Sequence, residues 1–132
     1  MPQHTLDLPI TEAIRLGGYD FFIVPQDNSV AATISLHWHA KANVSDNYLI
    51  SVQLLDADGQ AVVEHTSLPQ NGLRPTSTWL EGEWLIDQHA VEIPTLAPGQ
   101  YQVALSLIDE QTGRPIIISD QSRLILQETH IP

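Results

Sequence analysis

The 132-residue sequence contains no cysteine. That excludes disulfides, thiolate nucleophiles and cysteine-ligated zinc or iron–sulfur centres. Basic residues are also scarce: five Lys and Arg stand against sixteen Asp and Glu, a formal charge of −11. Such a field repels phosphate backbones and anionic bilayers, so nucleic acid is not an expected partner. Long hydrophobic runs are missing too. The longest are stretches such as Phe21-Phe22-Ile23-Val24 and Ile116-Ile117-Ile118, against the roughly 20 residues that cross a bilayer as a helix. Direct membrane insertion is therefore not expected. The first ten residues, MPQHTLDLPI, have neither a basic start nor an apolar centre, so they do not read as a signal peptide. The chain is then either cytoplasmic or a piece of a longer exported protein.

Its length fits one domain, 1–132, with a core over about 14–127. Hydrophobic residues make up 42%, enough for an ordinary folded interior. Apolar and polar residues alternate almost throughout. Ile34, Leu36, Trp38 and Ala40 interleave with Thr33, Ser35, His37 and His39. Tyr48, Ile50, Val52 and Leu54 form one face of a second run. Tyr101, Val103, Leu105 and Leu107 form one face of a third. Period two is the signature of a strand with one buried face. Further strands are expected near Ile14–Val24, Gln60–His65, Glu83–Ile93, Pro115–Ile118 and Ser122–Gln127. Asp56-Ala57-Asp58-Gly59 and Asp109–Gly113 read as hairpin turns, and Pro98-Gly99 as the turn before the Tyr101 strand. Ser67–Gly82 has no strand pattern and is expected to cross between sheets. Thr11–Leu16 is the only segment that reads as a short helix, ended by Gly17-Gly18. The fold class is thus all-β, an Ig-like sandwich of two antiparallel sheets with seven or eight strands.

Candidate chemistry is sparse. His37 and His39 lie two apart on one strand face, a spacing that offers two metal ligands. A third would come from His65, His89 or an acid on another strand. The spacing shows no third ligand, so no metal or other cofactor is expected and the pair reads as a sheet surface. Asp56 and Asp58 offer oxygens, but the calcium-loop pattern is missing. Serine, histidine and aspartate are all present without the Gly-x-Ser-x-Gly elbow of a nucleophile. Glu81 and Glu83 flank a turn and do not oppose each other as glycosidase carboxylates do. No catalytic residue is therefore assigned, and the chain is not expected to be an enzyme. The aromatics suggest binding instead. Trp38 and Tyr101 are expected in the core, Tyr101 as a corner tyrosine. Trp79 and Trp84 flank Leu80–Glu83, where at least one can present a ring to a sugar, with Glu81 and Glu83 nearby to bond hydroxyls.

Several segments in order carry a resemblance: Leu16-Gly17-Gly18-Tyr19-Asp20, Ile34–Trp38, Val52–Gly59, Pro75–Glu83, Leu96–Tyr101, Leu107-Ile108-Asp109 and Thr112-Gly113-Arg114. Over Leu16 to about Arg123 the chain resembles the extracytoplasmic C-terminal β-sandwich domain of bacterial membrane glycosyltransferases of the dolichyl-phosphate-mannose mannosyltransferase type. It departs from that pattern at His65, where Asp is common, and at Ile108, where an aromatic is common. The resemblance implies a non-catalytic accessory domain on the outer face of the cytoplasmic membrane. Such a domain would bind or position glycan, or pack on its membrane-embedded parent enzyme or a cell-surface protein. The alternative is a structural or protein-interaction module that pairs through sheet edges.

Overall fold

A computed structural model describes residues 2–25 and 30–131. Eight strands run in chain order: β1 His4–Pro9, β2 Ile14–Pro25, β3 Val30–Ala40, β4 Tyr48–Leu55, β5 Ala61–Ser67, β6 Trp84–Ile93, β7 Gly99–Asp109 and β8 Leu124–Ile131. They form two four-stranded sheets, ordered β1-β2-β3-β6 and β5-β4-β7-β8, with antiparallel pairing throughout. The molecule is an all-β sandwich. The chain changes sheet after β3, β5 and β6, so β6 returns beside β3 and β7 beside β4. This Greek-key crossing is the reason for the Ig-like order.

The alternation seen in the sequence is the packing pattern. Ile34, Leu36, Trp38 and Ala40 of β3 meet Ile50, Val52 and Leu54 of β4 and Val103, Leu105 and Leu107 of β7 in one core cluster. The turns carry their expected chemistry. Gly59 has φ +80° and Gly113 φ +71°, conformations that cost a residue with a Cβ. Asp56 Oδ1 accepts from the N–H groups of Asp58 and Gln60. The Tyr101 hydroxyl donates to the Ala97 carbonyl at 2.6 Å, four residues upstream, as a corner tyrosine does.

Four details differ from the sequence expectation. Thr11–Leu16 is no helix. The Thr11 hydroxyl accepts from the N–H groups of Ala13 and Ile14, which makes a tight turn, and β2 begins at Ile14. The N-terminal residues form a strand, β1, at the edge of the first sheet, and β8 runs on to Ile131. Ile10 and Ile131 join the core, which reaches past both ends of 14–127. Pro115–Ile118 contributes isolated bridges rather than a named strand. Finally, the outer face of the second sheet is not wet. Ser51, Gln53 and Ser106 are all buried. The Ser106 hydroxyl donates to the Ser122 carbonyl, and Arg123 reaches the Gly59 carbonyl. The β7–β8 connection thus lies over this face.

Ser67–Gly82 crosses between sheets as expected, through 3-10 turns at Pro69–Gly72 and Thr76–Thr78. It places Trp79 in the core, 1% exposed, with its ring centroid 6.0 Å from that of Trp38.

Candidate functional site

The outer face of the first sheet carries the most ligand-like arrangement. Register aligns Arg15 of β2, His39 of β3 and Trp84 of β6 in one row, with Gly18, His37 and Ile86 in the next. Strict alternation on β6 buries Leu85, Asp87 and His89 and turns Trp84 outward, 63% exposed. The Trp84 indole lies flat on the His39 imidazole, with centroids 4.1 Å apart and planes 4° from parallel. Its six-membered ring spreads over Gly17, where an added Cβ would sit 2.5 Å from Trp84 Cζ3. One ring face is therefore supported by protein, and the high exposure leaves the other bare. Gly17 belongs to a bulge in the β2–β3 pairing, a device that re-aims side chains at a sheet surface.

Trp84 borders an open groove of about 810 Å³ that β1 walls on the other side through Thr5, Leu6 and Asp7. Drug-sized ligands occupy sites of roughly 300–1,000 Å³. His37, His39, Arg15 and Lys41 complete the lining. His37 Nε2 donates to Asp20 Oδ2 at 2.8 Å. The Asp20 carboxyl is held below its ordinary range, first by the Gln3 N–H and then by His37. Arg15 pairs with Asp7 at 2.6 Å, and this bond keeps the Asp7 carboxyl low. Among the described residues, Lys41 makes no ion pair.

The residues singled out by sequence therefore separate. Trp84 is the exposed ring. Trp79 is not available for stacking: it is buried, and its Nε1 donates to the Arg74 carbonyl at 3.0 Å. Glu83 holds the turn before β6. Its Oε1 accepts from the Leu80 N–H and from Arg74, each at 2.8 Å, and these bonds hold its carboxyl below the usual range. Glu81 is exposed, and its N–H donates to Asn43 Oδ1. His37 and His39 share the outer face, whereas His65 and His89 lie between the sheets, so the latter cannot complete a site with the former. Among the described residues no group of three or more His, Asp or Glu is placed to hold a metal ion.

A substitution tests the platform. Gly17→Ala should push the indole off His39 and weaken any ligand that stacks on it by about tenfold, near 1.4 kcal/mol. Thermal unfolding should move little. Unchanged affinity would show that the ring is not held by this glycine.

A second polar cluster was not legible in the sequence. Edge strands β5 and β6 face each other across the side of the sandwich. His89 Nε2 donates to Asp87 Oδ2 at 2.7 Å, and His89 Nδ1 lies 3.4 Å from Ser67 Oγ. Asp87 also accepts from the Gln70 N–H at 2.7 Å and from Trp38 Nε1 at 3.4 Å. His65 sits edge-on to His89, centroids 5.6 Å apart. Serine, histidine and aspartate are thus in line. However, His89 is 2% exposed and Asp87 is fully buried, and the carboxylate is engaged by main chain and indole. The cluster ties a crossing loop to two strands.

Burial pushes the His65 imidazole below its ordinary value of 6.5; the neighbouring His89 adds to this and Asp87 opposes it. Its Nδ1 is buried without a hydrogen-bond partner among the described residues. An unfolded chain then takes up this proton more readily than the fold does. The stability His65 contributes is complete above about pH 6.5 and drains as pH falls through its depressed value. The urea midpoint should therefore drop between pH 7.5 and pH 5, and drop less in His65→Asn. Equal pH slopes in the two proteins would contradict this.

No family model matches the chain, and no curated protein matches it. Among solved structures it is similar to a crystal structure from Bordetella pertussis assigned as ApaA. The identity is 13%, the TM-score 0.44, and the match covers 98% of this chain and 96% of that one.

Proposed function

We propose that this chain is a non-catalytic accessory domain that binds glycan on the outer face of its first sheet. Trp84 is the stacking platform. The observation that carries the reading is the separation of the three tryptophans: Trp38 and Trp79 are 0% and 1% exposed, whereas Trp84 is 63% exposed beside a groove. A rigid amphipathic ring in the open suits a ligand with both apolar ring faces and hydroxyls. Thr5 lines the same groove and offers a hydroxyl partner, as do the Arg15 guanidinium hydrogens that Asp7 does not engage. The resemblance to exported tails of membrane glycosyltransferases supports placing the domain outside the cytoplasmic membrane, beside a parent enzyme.

Calorimetric titration with a panel of cell-wall oligosaccharides tests this. At least one should bind saturably, and Trp84→Ala should weaken it about 30-fold, as loss of a central aromatic contact of about 2 kcal/mol does. If no saccharide binds, or if Trp84→Ala binds as well as the parent, the reading fails. A protein partner on the same face would then take precedence, because Phe22, Val24 and Ile86 are also exposed there.

A further inference from the structure

The groove gathers basic side chains in a molecule that is otherwise acidic. The chain has five Lys and Arg against sixteen Asp and Glu. Two of those five bases, Arg15 and Lys41, line the groove, against one acid, Asp7. His37 and His39 add two imidazoles to the same wall, His37 being held by the Asp20 carboxylate. Arg15 donates through Nε to the Asp7 carboxylate and through Nη2 to the Asp7 main-chain carbonyl. That pairing fixes the long arginine side chain along β1. Lys41 has no such partner among the described residues and follows directly after β3, at the end of the strand that carries His39. An ammonium without an ion-pair partner among the described residues, on the groove that Trp84 borders, attracts an anion, though the Asp7 carboxylate within its electrostatic reach offsets part of that pull.

We propose that the groove selects acidic saccharides: a sugar ring lies on the bare face of Trp84 and its carboxylate meets the Lys41 ammonium, with Arg15 alongside. The inference rests on the reading of Trp84 as a saccharide platform and adds the class of sugar. Stacking supplies ring recognition and is insensitive to charge. Lys41 supplies discrimination between a uronic acid and its neutral counterpart, because a carboxylate in the groove forms a charge-assisted hydrogen bond that an ester cannot. Bulk repulsion from the other acids works against any anion that does not reach this spot.

The test pairs each acidic oligosaccharide with its own methyl ester, so that ring stereochemistry is constant and only the charge differs. Tetramers of galacturonate, glucuronate, mannuronate and guluronate serve as probes, titrated calorimetrically into the intact chain. For the tetramer that binds, the acid should exceed the ester at least about tenfold at 0.1 M salt. The advantage should shrink at 1 M salt, where the screening length falls from about 10 Å to about 3 Å. Lys41→Gln should remove most of the preference while leaving ester binding in place. Arg114→Gln, the same charge change on the β7–β8 connection, should not. Acid and ester binding equally would overturn the acidic preference and leave the Trp84 platform standing. Arg114→Gln acting as strongly as Lys41→Gln would overturn the local role of Lys41. If neither acids nor esters bind and neutral saccharides are also inert, the platform reading itself fails.

Discussion

Asp87→Ala is expected to cost the fold about 3–5 kcal/mol, because it leaves several buried donors without their acceptor. Asp87 is fully buried on the inner face of β6. Its carboxylate receives three donors from three directions: the Gln70 N–H of the crossing loop, the Trp38 indole of β3 and the His89 imidazole two residues along. Alanine leaves all three facing a hollow. Orphaned buried donors each cost about 1–3 kcal/mol, and a domain of this size has only about 5–15 kcal/mol in total. Urea unfolding followed by circular dichroism should show the midpoint collapse. Asp87→Asn should be intermediate, because its amide keeps the volume and one acceptor. A loss below about 1 kcal/mol in Asp87→Ala would mean that the loop and the strands do not depend on this carboxylate.

Trp79→Ala is expected to be nearly as damaging, at about 3–5 kcal/mol for a buried indole. The ring fills the core next to Trp38. Its Nε1 bond to Arg74 and the bond from the Val44 N–H to the Trp79 carbonyl pin the loop before β6. Trp84→Ala should behave in the opposite way. Its ring packs on His39 and over Gly17, with the other face open, so the loss should stay below about 1.5 kcal/mol, the value of an aromatic pair. The two variants thus separate stability from binding. Trp79→Ala should lower the melting temperature and leave ligand affinity intact wherever the fold persists. Trp84→Ala should do the reverse. Equal effects of the two variants on melting would contradict the contrast in burial.

How much of this was visible in the sequence follows from what a strand does to a pattern. β3 and β7 each bury one face against the opposing sheet, so Ile34-x-Leu36-x-Trp38 and Val103-x-Leu105-x-Leu107 announce both the strand and its inward side. β1 carries the same alternation in Leu6 and Leu8, continued by Ile10 just past its end, but Pro9 hides it. An edge strand tolerates proline because half of its N–H groups have no sheet partner. Thr11–Leu16 reads as a short helix, yet the Ile14 carbonyl accepts from the Ile10 and Thr11 N–H groups, which closes a turn, and Ile14 is already paired with Ala40 of β3. The platform was half legible. Alternation on β6 already sets Trp84 opposite Leu85 and Asp87, which fixes it outward once Leu85 is taken as core. Its neighbours could not be read, because Arg15, His39 and Trp84 meet through register between three strands that are distant in sequence. The inward cluster of His65, Ser67, Asp87 and His89 was hidden for the same reason. Polar residues on a strand normally mark its wet face, and only the facing of two edge strands makes them partners.

The most direct measurement is acrylamide quenching of tryptophan fluorescence, with and without a saturating oligosaccharide. Two buried tryptophans and one exposed one should give a quenchable fraction that comes from Trp84 and vanishes in Trp84→Ala. The account predicts that saccharide shields this fraction from quencher and shifts its emission, while the protected Trp38 and Trp79 signal is unchanged. A saccharide that binds and leaves the Trp84 signal fully quenchable would place the ligand elsewhere and contradict the central claim.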